Sequence, residues 1–171
     1  MEKEQGFNQQ VNKPKETINI GFKGETETEQ MLSNLAPTPF ELNGKSYASV
    51  EGFWQSLKFS EKNDERNKIA NLSGIEAKKA GRKAKEVREF EYQSQKFQVG
   101  SEEHQELMRK AIKAKLEQNY HVLNLLLKTG DKKITHILKT PDGQILPDSK
   151  TIPRAKFCDF LMELREEFRK R

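Results

Sequence analysis

A short segment between residues 50 and 58 carries several side chains of the types used in catalysis. Glu51, Gln55 and Lys58 recur at spacings of four and three residues, so a helix would present them on one stripe. A carboxylate can act as a general acid or base. An amine next to apolar surface such as Trp54 can lose its proton and become a nucleophile. The same pattern is also typical of a charged, solvated helix face, so spacing alone leaves both interpretations open.

Other polar residues outside this segment could bind a ligand. Ser and Asn before a proline favour a loop turn but can also hold a ribose or a phosphate. A Gly-Arg pair suits a phosphate, because the glycine exposes backbone beside a guanidinium. The candidate ligand-binding residues are Ser33, Asn34, Trp54, Gln55, Gly81, Arg82, Lys115, Gln118, Asn119 and His136. Each of them is equally compatible with a structural role in a turn, on a surface or, for His136, in a buried strand.

The elements that must position these residues follow from hydrophobic periodicity. Ser49 is expected to be the N-cap, and one apolar stripe is formed by Val50, Phe53, Trp54 and Leu57, which predicts a helix over 50–58. Just before it, Asn43-Gly44 lies between alternating apolar residues and predicts a β-hairpin.

The remaining pattern predicts more helix than strand. Short strands are expected at 18–22 and 134–138, and an acidic loop between 24 and 30. Further helices are expected from Ser73, from Ser101 and over 122–128, the last ending at Gly130, and a closing helix carries Phe157 to Phe168. The stretch before Ser101 is read as irregular. We therefore predict an α+β fold: a predominantly helical single domain over residues 17–171 with a small β-hairpin or sheet portion, preceded by a flexible tail at 1–16.

Composition excludes several classes of protein. No apolar run approaches the roughly 20 residues of a membrane span, and no Cys/His cluster has zinc-binding spacing, so neither a membrane partner nor a metal or other cofactor is expected. The single Cys158 indicates a reducing compartment and predicts a cytoplasmic protein. The net charge is +5, and residues 62–88 hold nine Lys/Arg against four Asp/Glu. That basic stretch is either a solvated surface or a contact for a phosphate-bearing partner.

Taken together in order, the motifs resemble NADAR domains, the group that includes the YbiA proteins. The resemblance runs from about Ile18 to Glu167. The matching pieces are Ser33-Asn34-Leu35, Pro39-Phe40, Gly44-Lys45, Tyr47-x-Ser49-Val50-Glu51, Gln55-x-x-Lys58-Phe59, Gly81-Arg82, Ser101-x-x-His104, Ala111-Ile112-x-Ala114-Lys115-x-x-Gln118-Asn119, Leu126-Leu127-x-Thr129-Gly130, Thr135-His136, Ile152-Pro153, and Phe157-Cys158 through Leu164-Arg165. Two positions depart from the pattern. Family members often have Glu-His where this chain has Glu51-Gly52, and many YbiA-like members carry Trp-Gly-x-Gly where this chain has residues 144–148.

The resemblance implies a hydrolase that cleaves N-glycosidic bonds of phosphorylated ribosides. One branch of the family is associated with removing ADP-ribose from guanine bases of DNA or RNA, which would oppose an ADP-ribosyltransferase toxin. The YbiA branch is associated with ribosylamino-pyrimidine phosphate intermediates of riboflavin biosynthesis. Carried over by position, Glu51 and Lys58 are the expected catalytic residues. We expect the first activity, with the YbiA-like reaction and a non-catalytic ADP-ribose or nucleotide-binding module as alternatives.

Overall fold

The computed structural model describes residues 16–171 and contains, within that range, seven helices and three two-stranded sheets. In chain order the elements are β1 (Thr17–Asn19), α1 (Glu27–Met31), β2 (Phe40–Leu42), β3 (Lys45–Tyr47), α2 (Val50–Leu57), α3 (Asp64–Ala70), α4 (Gly74–Gly81), β4 (Glu89–Tyr92), β5 (Gln95–Gln98), α5 (Glu102–Gln118), α6 (Tyr120–Lys128), β6 (Lys133–Thr135) and α7 (Arg154–Arg169). The predicted α+β fold, mostly helical with small sheets, is confirmed. Residues 1–15 of the predicted tail lie outside the described residues.

Two of the sheets are antiparallel hairpins. The predicted turn at Asn43-Gly44 is confirmed, with φ values of 51° and 75° between β2 and β3. The second hairpin, β4–β5, lies in the stretch read as irregular, so that interpretation was wrong. It turns through Gln93 and Ser94 with φ values of 51° and 60°. Neither residue is a strong signal for positive φ, since Gly and Asn are the usual choices.

The third sheet joins distant parts of the chain. β1 and β6 pair in parallel, with Ile18 opposite Ile134. Both strands are shorter than predicted. Beyond them the contact continues as single hydrogen bonds, from the Ile20 amide to the Thr135 carbonyl at 2.8 Å and from the Lys133 amide to the Glu16 carbonyl at 3.2 Å.

The core lies between α5 and the elements around it, because α2, α6, α7, β2 and β5 all pack against that helix. The predicted apolar stripe of α2 is confirmed for three of its four residues: Val50, Phe53 and Leu57 are at most 1% exposed, whereas Trp54 is partly exposed. Ser101 caps α5 by accepting from the His104 amide at 3.2 Å. Gly130, with φ of 60°, follows α6 as expected.

Two helix starts differ from the predictions. The acidic segment read as a loop contains α1, which begins with a capping box between Thr26 and Glu29. Conversely, α4 begins after Ser73 without the expected side-chain cap. Its first residue, Gly74, has φ of 58° and donates its amide to the Leu35 carbonyl at 2.8 Å, so the loop before α2 satisfies this helix start instead. In the described range, no helix combines the length and apolar character needed to cross a bilayer.

Candidate active site

Helix α2 presents a carboxyl group held by its own neighbour on the helix. Ser49 accepts from the Gly52 amide at 2.8 Å and so fixes the start of the helix. One turn apart, the Gln55 Nε2 atom donates to the Glu51 Oε1 atom at 2.7 Å. Glu51 is partly exposed and Gln55 is buried. The buried amide therefore fixes the orientation of a carboxyl group that solvent or a ligand can reach.

The environment of Glu51 favours its protonated form. Burial raises the pKa of the Glu51 carboxyl and outweighs the Gln55 hydrogen bond and the positive charges of Lys78 and Lys58, which lower it. A carboxyl group with a raised pKa can donate a proton near neutral pH. This is the property expected of a general acid.

Lys58 lies at the end of the same helix, against an aromatic cluster. Its Nζ atom is 5.5 Å from the centroid of the Trp54 ring. Burial lowers the pKa of the Lys58 amine, and the charge of Glu51 opposes that effect. No salt bridge joins Lys58 to Glu51 in the described structure, which agrees with their separation by two turns. The amine is thus easier to deprotonate than a solvated lysine.

The imidazole ring of His104 packs against the indole ring of Trp54. The two ring centroids are 4.5 Å apart, and Phe90 packs edge-on against both rings. The His104 Nδ1 atom accepts from the Gly100 amide at 3.0 Å, so the proton of the neutral ring is assigned to Nε2. Burial lowers the pKa of His104 to about 4. The histidine is therefore neutral and supports the indole ring.

Helix α4 packs closely on α2 because two glycines allow it. A Cβ atom at Gly81 would overlap the side-chain amide of Gln55, and one at Gly52 would overlap the Leu72 carbonyl. Gly81 thus contributes space for Gln55. Gly52, where family members often have histidine, is required here by the close approach of the backbone before α4.

Two cations that the sequence did not single out act on His136: Lys78 on α4 and Arg154 at the start of α7. Burial lowers the pKa of the His136 imidazole, and the charge of Lys78 adds to that effect. The same charge also lowers the pKa of the Glu51 carboxyl. Arg154 acts on His136 in the same direction, and Asp148, which lies 3.7 Å from Arg154, opposes it. The ring of His136 donates from Nδ1 to the Ile20 carbonyl at 2.6 Å. Lys78 and Arg154 could be found only from the fold, since they come from helices far apart in sequence.

Three predicted ligand-binding residues in the last turn of α5 and at its C-cap contact the protein itself. The Lys115 Nζ atom, in a side chain 1% exposed, donates to the Ser33 carbonyl at 2.8 Å. The Gln118 amide bonds to both the amide and the carbonyl of Glu41, and the Asn119 amide donates to the Pro39 carbonyl. Their side chains hold the segment 33–41, and a role in ligand binding stays a prediction for all three.

That segment in turn positions the start of α2. The Asn34 carbonyl accepts from the Glu51 amide at 2.8 Å. Ser33 is buried, and its hydroxyl accepts from the Leu35 amide. A continuous path therefore runs from Lys115 through Ser33 and Asn34 to Glu51.

Two predicted site residues, Asn34 and Arg82, remain to be placed. Asn34 is partly exposed, and its side chain forms no hydrogen bond within residues 16–171. Arg82 is exposed at the end of α4. Two open clefts, of about 470 and 190 Å³, lie elsewhere, beside the turns of the two hairpins. Neither Glu51 nor Lys58 lines either cleft. The candidate site is therefore identified by the hydrogen bonds and pKa shifts of its residues and not by the size of a cavity.

Comparisons with known proteins agree with this picture. N-glycosidase YbiA from Escherichia coli (strain K12) is 28% identical over 149 residues, covering 86% of this chain and 87% of the relative. The YbiA protein of Shigella boydii serotype 4 (strain Sb227) matches to the same extent. The NMR structure of E. coli YbiA superposes with a TM-score of 0.61 at 25% identity, over 90% of this chain and 85% of that one.

These relatives confirm the predicted resemblance to YbiA proteins and the expectation of a hydrolase related to the N-glycosidases. A family model described as "Bacteriophage protein GP30.3" matches residues 28–166. Because that match covers most of the sequence, the chain belongs to the bacteriophage GP30.3 protein family.

Proposed function

We propose that this protein hydrolyses the N-glycosidic bond of a phosphorylated riboside, and that its substrate is an ADP-ribosyl group on a guanine base of nucleic acid. The observation that carries the proposal is the Glu51 carboxyl, which is oriented by Gln55 and has a raised pKa. Glu51 lies among the positive charges of Lys58 and Lys78. An acid beside cations suits a reaction that releases a base from a negatively charged sugar phosphate.

In the proposed reaction, Glu51 gives its proton to the departing base as the bond between C1′ and the base nitrogen breaks. Positive charge then develops at C1′, and a nucleophile must add there. The Lys58 amine, whose pKa is lowered by burial, would add to C1′. The C1′–O4′ bond would then break as a proton passes from the nitrogen to O4′, which leaves a Schiff base between Lys58 and C1′. Water would then hydrolyse this adduct and return the proton to the carboxylate. Direct attack by water, activated by the Glu51 carboxylate, is the simpler route to the same products.

Binding of the substrate is assigned to groups around these two residues. The indole of Trp54 offers a partly exposed face for stacking on a base. The free side chain of Asn34 would bond to a ribose hydroxyl. Lys78 and Arg154 would neutralise the phosphates. These two cations favour the diphosphate of ADP-ribose over a substrate with a single phosphate.

A single-turnover reaction with a guanine-ADP-ribosylated oligonucleotide tests the activity. We expect release of the unmodified oligonucleotide. Glu51→Gln keeps the shape of the side chain and its contact with Gln55 but removes the acid, so it should slow release by about 100-fold or more while substrate binding persists. Equal binding with no release by either protein would contradict an enzyme and indicate a binding module.

Borohydride distinguishes the two routes. A reduced, covalent adduct that forms in the native protein and is absent in Lys58→Ala would support the Schiff base. Lys62→Ala is the matched control, because Lys62 is exposed and lies beyond the end of α2. Release of product without any trapped adduct would contradict the lysine route and leave the water route. If only a ribosylamino-pyrimidine phosphate is cleaved, the proposed substrate is wrong and the activity is that of the YbiA branch.

The phosphate-binding role is tested separately. Lys78→Gln should raise KM for the ADP-ribosylated oligonucleotide by roughly tenfold, the loss expected for one charge-assisted contact. Lys79→Gln makes the same change of charge at an exposed neighbour on α4. An equal effect of both substitutions would show that general surface charge, and not a specific contact, is responsible.

A further inference from the structure

A second cluster of cations lies on the side of α2 that faces the hairpins, away from Glu51. The turns of the two hairpins and the segment before α3 enclose a cleft of about 190 Å³. It is lined by the residues Leu42, Asn43, Lys45, Tyr47, Glu61, Arg66, Tyr92 and Gln93. Phe53 separates this cleft from the candidate active site, because its ring packs against Tyr47 at 4.8 Å and Tyr92 at 5.7 Å.

The guanidinium of Arg66 is fixed in place at the base of the cleft. Its side chain is 6% exposed, and Nη1 donates to the carbonyls of Phe59 at 2.9 Å and Glu91 at 2.8 Å. Nη2 is paired more weakly than Nη1. Its neighbour is the carboxylate of Glu61, and the distance of 3.8 Å between them is too long for a hydrogen bond. A buried guanidinium with one edge so weakly paired has donors left for an anion.

Lys45 supplies a second positive charge to the same cleft. Its Nζ atom bonds to Asn67 Oδ1 at 2.6 Å and lies 5.8 Å from the centroid of the Tyr47 ring. Burial lowers the pKa of Lys45, and the charge of Arg66 adds to that effect. The two cations therefore repel each other, and Glu61 is the single carboxylate among the residues lining the cleft. The lining itself therefore holds one more positive than negative charge, while the carboxylate of Glu91 acts on Arg66 from outside the lining.

Neutral donors complete the lining. The Tyr92 hydroxyl accepts from the Asn43 Nδ2 atom at 2.8 Å, and it is also hydrogen-bonded to the Tyr47 hydroxyl. Burial raises the pKa of both tyrosines, so both hydroxyls keep their protons. The Tyr92 hydroxyl still has its own proton to donate, and two cations beside such a donor suit a tetrahedral oxyanion.

We infer that this cleft is a second anion-binding site that takes a phosphate group, with Lys45 and Arg66 as its cationic ligands and Glu61 as an internal competitor for Arg66. A phosphate that enters would displace the Glu61 carboxylate from its distant contact with Nη2. The site does not depend on the proposed glycosidase activity, because it shares no lining residue with the candidate active site.

Titration with inorganic phosphate at constant ionic strength, followed by amide resonances in ¹H–¹⁵N spectra, tests the inference. We expect saturable shifts at Asn43 and Gln93. Lys45→Gln should weaken binding about tenfold, the loss of one charge-assisted hydrogen bond. Glu61→Gln should tighten binding, because it removes the competitor while keeping the side-chain shape.

Two comparisons make the test specific. Lys68→Gln changes the net charge equally, at an exposed lysine paired with Glu65, and should leave phosphate binding unchanged. A parallel titration with adenosine 5′-monophosphate distinguishes a free phosphate from the phosphate of a nucleotide. Tighter binding than that of inorganic phosphate means that the cleft also holds the nucleoside. Equal binding means that the cleft holds the phosphate alone. Shifts that do not saturate, equal weakening by Lys68→Gln, or no gain from Glu61→Gln would overturn the inference.

Discussion

Replacing Lys115 by methionine should make the protein more stable at neutral pH and less active. The Lys115 amine is buried in the core with one hydrogen bond, to the Ser33 carbonyl. Burial lowers the pKa of Lys115 from 10.5 to about 7. Methionine has a similar length and no charge, so Lys115→Met removes the cost of burying the amine.

The size of the effect follows from that pKa. The unfolded chain binds the Lys115 proton up to about pH 10.5, whereas the folded protein releases it near pH 7. The unfolded state therefore holds more protons between these values, and the stability of the native protein rises with pH across this window. At 1.36 kcal/mol per pKa unit, burial of Lys115 costs about 4 kcal/mol at pH 7 and about 2 kcal/mol at pH 9.

Lys115→Met avoids this cost but leaves the Ser33 carbonyl without its donor, which costs about 1–3 kcal/mol. We expect a net gain of roughly 1–3 kcal/mol at pH 7 that shrinks by about 2 kcal/mol at pH 9. Activity should fall, because the carbonyl of Asn34, next to Ser33, holds the start of the helix that carries Glu51.

Urea unfolding of both proteins at pH 6, 7, 8 and 9 measures these differences. Groups that titrate equally in both proteins cancel in the difference between their free energies of unfolding. The pH dependence of that difference therefore reports the contribution of Lys115 alone. Lys115→Gln is a useful second variant, because it retains a donor for Ser33 without the charge and should recover activity. Parallel stability curves for native protein and Lys115→Met from pH 7 to 9 would refute the reasoning.

Three further substitutions test the packing around Glu51. Gln55→Met removes the hydrogen bond that lowers the pKa of Glu51, so the alkaline limb of the pH dependence of kcat/KM should move to higher pH; an unmoved limb would exclude Glu51 as the titrating acid. Gly81→Ala forces the Gln55 amide to move and should destabilise the protein by about 1–3 kcal/mol and reduce activity. Gly21→Ala is its control, since a Cβ there meets no atom within 4 Å, and equal thermal midpoints would contradict the proposed contact. Gly52→Ala places a methyl group against a backbone carbonyl, which cannot move as a side chain can, so its unfolding midpoint should fall further than that of Gly81→Ala.

The parts of the fold that the sequence predicted are those with local causes. The stripe of Val50, Phe53 and Leu57, the turn at Asn43 and the cap at Ser101 each depend on residues within one or two turns of the chain. The hairpin β4–β5 was not predicted, because Gln93 and Ser94 adopt positive φ as the two-residue turn between paired strands and not from a preference of their own.

In the candidate site too, residues that lie on one helix could be predicted, whereas residues brought together by the fold could not. Glu51 and Lys58 could be identified as candidates because they lie on one helix. The convergence of Lys78 and Arg154 depends on how distant helices pack, which no local pattern encodes. The burial of Lys115 does have a local signal, because it lies four residues after Ala111 and so falls on the buried stripe of α5.

The parallel pairing of β1 and β6 has a consequence for the order in which the protein folds. Ile20 and His136 are joined by a hydrogen bond although they are 116 residues apart in the chain. During synthesis, β1 leaves the ribosome first but has no partner until β6 has followed it. Closing so long a loop is slow compared with forming helices and hairpins. We therefore expect β1 to dock last, onto a preformed helical body, and to be the first element to detach when the protein unfolds.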